Sequence, residues 1–212
     1  PEYKFNTKAE KLSLNLSTVR VMLTSNKVAL AETMEIPCLT GYYCADGIVS
    51  TDTFKVCKTD ISVFSNPILL LRELVNLLSL IDDEKIIVQQ EILFTTPNVT
   101  VYGTQLDGIE DYPIEAIEAY VQTEFESVCK LSKQSLLNVL DRIKLFVSTY
   151  DKNGVYLTFT KDGVICSSKK SNGTELIPYQ ESKNFQAYSC CIDIELLHSQ
   201  LSAQAGEVVE LW

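Results

Sequence analysis

The residues best equipped for covalent chemistry are Cys190 and Cys191, followed by the only histidine, His198. A thiol becomes a nucleophile when a base takes its proton and a third group orients that base. Here His198 falls on the helix that follows the cysteine pair, and no motif supplies an orienting acid. A small thiol-dependent enzyme is thus one reading, and it rests on that pair alone. The other cysteines are Cys38, Cys44, Cys57, Cys129 and Cys166, and none belongs to a CxxC pair. A zinc site needs clustered Cys and His ligands, so no metal and no organic cofactor is expected. An odd count without regular spacing also argues against a disulfide framework; these read as buried free thiols of a reducing compartment. No glycine-rich loop of the Walker type is present to cradle a phosphate.

Basic side chains offer a second kind of chemistry, the neutralisation of phosphates. Lys133, Arg142 and Lys144 flank a polar helix face that holds Gln134 and Asn138, with Asp141 diluting it. Arg20 and Lys27 occupy an earlier segment, and Lys27 and Arg142 stand 115 residues apart. By themselves these are ordinary solvated helix charges. Lys161, Lys169 and Lys170 read as a second patch on a solvated hairpin. The net charge of −10 argues superficially against a nucleic-acid partner, but residues 107–126 carry seven acids and no base. The field of the whole chain therefore does not decide the local partner.

The elements that must position these residues repeat. Ala45-Asp46-Gly47-Ile48-Val49-Ser50 and Lys161-Asp162-Gly163-Val164-Ile165-Cys166-Ser167 are both Asp-Gly turns entering β-branched runs, the signal of a hairpin. Ser132 is a fitting N-cap for an amphipathic helix to Val147, with Leu136, Leu140, Ile143 and Val147 on one face. About 115 residues earlier, Ser17 to Glu32 reads as its counterpart, with Val21, Val28 and Ala31 at matching positions. In that copy Leu12, Leu14 and Leu16 alternate like a strand, and Leu23 and Leu30 fall on the wrong helix face.

A third pair follows. Phe54 to Gln90 reads strand, helix, strand, with the helix starting at Asn66-Pro67 and burying Leu70, Leu71, Leu74, Leu77, Leu78 and Ile81. Asp82-Asp83-Glu84 turns the chain into a strand from Lys85 to Gln90. Phe185 to Trp212 is the later copy: a strand over Ala187–Ile192, Asp193 capping a helix to about Gln204, Gly206 ending it, and a strand from Val208. The first copy continues through Ile92 to Tyr102, so the second reads as short of its last strand or two. Either the chain is a fragment or a partner segment completes that sheet. The expected class is α+β, with repeated units over 1–115 and 116–212 joined through the acidic stretch. The composition, 46% hydrophobic and 22% charged, suits a globular chain, and no apolar run reaches the ~18 residues of a membrane span. The Asn-x-Ser/Thr triplets at Asn15, Asn98 and Asn172 read as chance matches.

Order and residues together resemble the β-type DNA polymerase sliding clamps of bacterial and phage replicases. Ile36-Pro37-Cys38-Leu39-Thr40-Gly41, then Asp46 to Asp52, is similar to that family's first-domain signature: a Leu-Pro-x-Leu turn, a strand, an Asp-Gly hairpin and a Thr-Asp pair. Glu110-Asp111-Tyr112-Pro113 is similar to the acidic-aromatic-Pro element that ends that domain, and Cys191 to Leu197 to the strand-to-helix element before a channel helix. The family's Thr-Asp-Gly-His-Arg-Leu run, part of its peptide-docking pocket, is replaced here by Ser168-Lys169-Lys170-Ser171-Asn172-Gly173, which leaves the pocket unplaced.

The resemblance implies repeated clamp domains, antiparallel sheets outside and paired helices lining a ring of about six units. It implies a non-catalytic processivity factor in the cytoplasm of a bacterial or phage-infected cell, with no cofactor and no membrane. Its partners would be duplex DNA, a DNA polymerase, a clamp loader and further copies of the chain. Arg20, Lys27, Lys133, Arg142 and Lys144 become the expected DNA-facing residues, making contacts to phosphates, since a ring that slides must not read bases. The competing reading from another class is a clamp-fold adaptor, in transcription or repair, that does not encircle DNA.

Overall fold

The computed structural model describes residues 11–61, 66–78, 80–81, 85–89, 93–123, 127–147, 153–169 and 173–211. Its internal contacts divide the chain into two compact units, Pro1–Tyr120 and Val121–Trp212.

The first unit runs β1 (Lys11–Asn15), α1 (Leu16–Lys27), β2 (Tyr42–Cys44), β3 (Ile48–Thr51), β4 (Val56–Thr59), β5 (Ile68–Leu70), α2 (Arg72–Leu78), β6 (Lys85–Gln89), β7 (Leu93–Thr95), β8 (Thr100–Tyr102) and α3 (Ile114–Val121). Two antiparallel sheets result, with strand orders β4-β3-β2-β5 and β1-β6-β7-β8. Asn15 ends β1 and starts α1, its side-chain oxygen accepting from the Ser17 amide at 2.9 Å. The core gathers Leu16, Val19 and Leu23 of α1 with Tyr42, Ile48, Leu70, Leu74 and Leu78.

The second unit runs β9 (Val128–Ser132), α4 (Lys133–Lys144), β10 (Gly154–Phe159), β11 (Gly163–Ser168), β12 (Thr174–Pro178), β13 (Glu181–Lys183), β14 (Tyr188–Asp193), α5 (Ile194–Ala203) and β15 (Val208–Leu211). Its sheets are β12-β11-β10-β14 and β13-β9-β15. Leu131, Leu136, Leu140, Ile143, Val155, Leu157, Val164, Ile177 and Ile194 form the core.

Among the described residues the two units share the order strand, helix, hairpin, strand, strand, helix, strand, and the second carries one further strand, β13, between β12 and β14. In each, the strand before the first helix pairs antiparallel with the strand after the second, as Asn15 with Lys85 and Ser132 with Val208. Both Asp-Gly turns close hairpins, with Cys44 opposite Ile48 and Phe159 opposite Val164. Their glycines are required by close approach. A Cβ on Gly47 would lie 2.9 Å from the Thr59 carbonyl oxygen, and one on Gly163 (φ +156°) 2.2 Å from that of Ile177. The Thr-Asp pair builds a turn: Thr51 Oγ1 donates to the Lys55 carbonyl, and Asp52 Oδ1 accepts from the Phe54 and Lys55 amides.

Several expectations from the sequence change. The N-caps Asn15 and Ser132 align the first helices at an offset of 117, not 115. The buried set Leu136, Leu140 and Ile143 then matches Val19, Leu23 and Asn26, while Val21 is 51% exposed. Asn26 misled the pattern: fully buried, it donates to Thr59 Oγ1 at 2.6 Å in the place where the second unit has an isoleucine. The leucine run after Pro67 begins as β5, not helix, and Leu77 is 48% exposed; a short apolar run has no periodicity that separates a buried strand from a helix. The acidic stretch that joins the units is structured over residues 107–120. Ile109–Asp111 forms a 3-10 turn, Tyr112 stacks on Tyr43 with centroids 5.1 Å apart and donates to the Val49 carbonyl, and Ile117 of α3 is buried. Lys161 and Lys169 sit beyond opposite ends of β11, about 20 Å apart at strand rise, so they are not one patch. The turn at 82–84, Gln90, Ile92, Glu124, Glu126, Lys170–Asn172 and Trp212 lie outside the described residues. Among the described residues no helix is long and apolar enough to cross a membrane.

Candidate nucleic-acid interface

The first helix of each unit, α1 and α4, carries the five basic residues singled out above, and four of them have partners within their own unit. Lys133 opens α4, and its Nζ donates to the Gln204 carbonyl at the end of α5 at 2.8 Å. Arg20 does the equivalent in the first unit, its Nε donating from α1 to the Leu78 carbonyl at the end of α2 at 3.2 Å. The last carbonyls of a helix lack intrahelical donors and carry partial negative charge. Both bases are therefore placed to cap the second helix of their unit. Removing the cap through Lys133→Ala is expected to cost the second unit about 0.5 kcal/mol, read as a small shift in its urea midpoint; no shift would mean the contact adds nothing in water.

Arg142 and Lys144 occupy the last turn of α4 and face carboxylates. Arg142 forms a two-bond fork with Glu175 of β12, Nε to Oε1 at 2.7 Å and Nη2 to Oε2 at 2.6 Å. This geometry strengthens an ion pair and fixes its orientation. The hydrogen bonds from Arg142 hold the Glu175 carboxyl below its ordinary range, and Glu175 in turn raises the guanidinium. Lys144 Nζ lies 2.6 Å from Glu195 Oε1, in the first turn of α5. Lys27 closes α1, is exposed, and is paired by no described residue. By helix position Lys27 corresponds to Lys144, which corrects its expected match to Arg142. On the same polar face Gln134 donates to Asn138 Oδ1 at 2.8 Å.

The sequence also left His198 without an acid, and the structure supplies one. His198 Nε2 lies 3.1 Å from Asp141 Oδ1 of α4, and its Nδ1 lies 3.4 Å from Ser202 Oγ. This joins α4 to α5. Burial raises the Cys190 thiol, which weakens its thiolate chemistry. Cys191 is exposed, which corrects the expectation that all the thiols are buried; Cys38, Cys44, Cys129 and Cys166 are buried, and burial pushes Cys166 up to about 12. Among the described residues no group of three His, Cys, Asp or Glu side chains could hold a metal ion.

The chain matches no protein-family model and no curated protein by sequence. Solved structures do match. The DNA polymerase sliding clamp of Bacillus subtilis overlays with a TM-score of 0.82 at 15% identity, covering 99% of this chain and 59% of that one. The DNA polymerase beta subunit of Streptococcus pyogenes gives 0.80 at 20%, covering 99% and 60%, and the DNA polymerase III beta subunit of Thermotoga maritima 0.78 at 15%, covering 99% and 60%. The chain therefore has the α+β sliding-clamp fold, as its motifs implied, and it spans about three fifths of the length of these structures.

Proposed function

We propose that this chain forms part of a ring that encloses duplex DNA and keeps a replicative DNA polymerase on its template. The observation that supports this most is the agreement of two scales. Both units contain the order strand, helix, hairpin, strand, strand, helix, strand around their own cores, with β13 added in the second, and the chain overlays on sliding clamps over nearly its whole length. In this reading there are two clamp-like domains, over 1–115 and 116–212, and no reaction is catalysed. Function follows from topology, because a closed ring leaves a duplex only by opening or by running off an end. The helices carrying Arg20, Lys27, Lys133, Arg142 and Lys144 line the hole and meet phosphates. Copies of the chain assemble the ring, a clamp loader opens it, and the work is done in the cytoplasm where the template is.

The test is topological. The protein is loaded on a nicked circular plasmid, passed over a sizing column, and the plasmid is then cut once. Retention on the circle and release after the cut, with a solution mass equal to a closed assembly, is the expected result. Equal loss from circular and linear DNA would refute encirclement.

One observation favours the adaptor reading instead. Arg142 and Lys144 are each matched by a carboxylate, so these helices offer phosphates less free charge than their sequence suggests. An adaptor predicts a monomer or open dimer with no preference for circles.

A further inference from the structure

The same matched pairs have a second consequence, which rests on the clamp reading. The two bases in the last turn of α4 are held from two different elements, Arg142 by Glu175 of β12 and Lys144 by Glu195 of α5. Both pairs are solvent-accessible: the side chains of Arg142 and Glu175 are 53% and 32% exposed, those of Lys144 and Glu195 49% and 54%. Exposed ion pairs contribute roughly 0–1 kcal/mol and exchange partners readily. A carboxylate and a phosphate oxygen offer the same guanidinium the same fork.

We infer that Glu175 and Glu195 are built-in competitors for DNA phosphates, holding Arg142 and Lys144 when no phosphate is present and yielding them when one passes. The lining then stays close to neutral, and each phosphate contact is an exchange of one anion for another instead of the pairing of a bare charge. Such a surface binds any one phosphate weakly and lets go of it easily, which is what movement along a duplex requires. The glutamates set the strength of the DNA contact although they repel DNA themselves. Lys133 is outside this device, because its partner is a backbone carbonyl and carries no full charge.

The experiment is the pair Glu175→Gln and Glu195→Gln in the full chain, compared with Glu181→Gln and Glu210→Gln. The second pair flanks Lys130 of β9, at 3.2 and 2.9 Å. It likewise removes two negative charges, here from beside Lys130, a strand side chain that alternates with the core residues Cys129 and Leu131, and from beside Lys183. Binding to a linear duplex is measured from 50 to 200 mM salt. Two freed bases steepen the log–log salt slope by about 2, so affinity falls about tenfold further over that range than for wild type. The control pair leaves the slope unchanged. An unchanged slope in the first pair, or an equal change in both, overturns the inference.

If the first pair does not fold, Arg142→Gln with Lys144→Gln decides the matter. In wild type, where the bases are already matched, its slope should change by well under 2, and a full change of 2 overturns the inference. Retention on circular against linear DNA is read in parallel. It reports on encirclement alone, so a protein that fails on circles yet shows the slope change loses the ring and keeps the competitors.

Discussion

Replacing Tyr112 by Ala lowers the stability of the first unit by about 3–5 kcal/mol, the range for deleting a large buried aromatic. The ring is 4% exposed, stacks on Tyr43, and its hydroxyl donates to the Val49 carbonyl of β3 at 3.2 Å. It packs with Cys38, Leu39, Leu69 and Ile117, so it joins the 3-10 turn and α3 to the β4-β3-β2-β5 sheet. Hydrogen exchange should show the amides of α3 losing protection along with those of β3. Tyr112→Phe keeps the stack and loses one hydrogen bond, at about 1 kcal/mol. A Tyr112→Ala cost below that of Tyr112→Phe would mean the acidic segment is not anchored through this ring.

The second large effect is expected at Gly163. An added Cβ would sit 2.2 Å from the Ile177 carbonyl oxygen and 3.0 Å from the Pro178 Cα. Those atoms belong to β12, whose register with β11 pairs Gly163 with Pro178 and Val164 with Ile177. The methyl has no flexible side chain to displace; the strand itself must move. Together with the unfavourable φ this costs about 3 kcal/mol or more. Gly206 is the internal comparison. Its φ is +114°, yet nothing lies within 4 Å of the position a Cβ would take, so Gly206→Ala costs only the backbone penalty of about 1 kcal/mol. Urea denaturation of both variants separates contact from conformation. Equal losses would show that β12 does not approach Gly163 closely.

How much of this was legible in the sequence depended on whether the signal was local. Caps and turns were readable because residue and partner lie within a few positions. Ser132 caps α4 as expected, Asp193 caps α5 through the Glu195 and Leu196 amides, and Gly206 follows the helix with positive φ. Both Asp-Gly hairpins formed where expected. The face of α1 was misread because a buried amide stands in its apolar stripe, and Asn26 counts as polar until Thr59 is known to meet it. Fold class was recoverable from the order of motifs.

The charges of the interface were legible as residues and not as an arrangement. Arg142 finds Glu175 33 positions away and Lys144 finds Glu195 across the unit. Nothing in the neighbourhood of either base announces those partners. The same holds for Arg20, whose acceptor is a backbone carbonyl of α2. A helical wheel reports which side a base is on, but only the packed unit reports whether its charge is already spent.

The pairing, in each unit, of the strand before the first helix with the strand after the second bears on how the chain is made. β1 finds its partner in β6, with Lys11 opposite Gln89, and β9 finds β15, with Ser132 opposite Val208. During synthesis at about 5–20 residues per second, each opening strand waits several seconds for its partner to be made. For that interval it is a bare edge able to pair with another nascent chain. Closure over so long a loop is also slow in itself. Yield on a crowded ribosome should therefore depend on how quickly the stretch between the two strands is translated, and slow codons there should favour aggregation over folding.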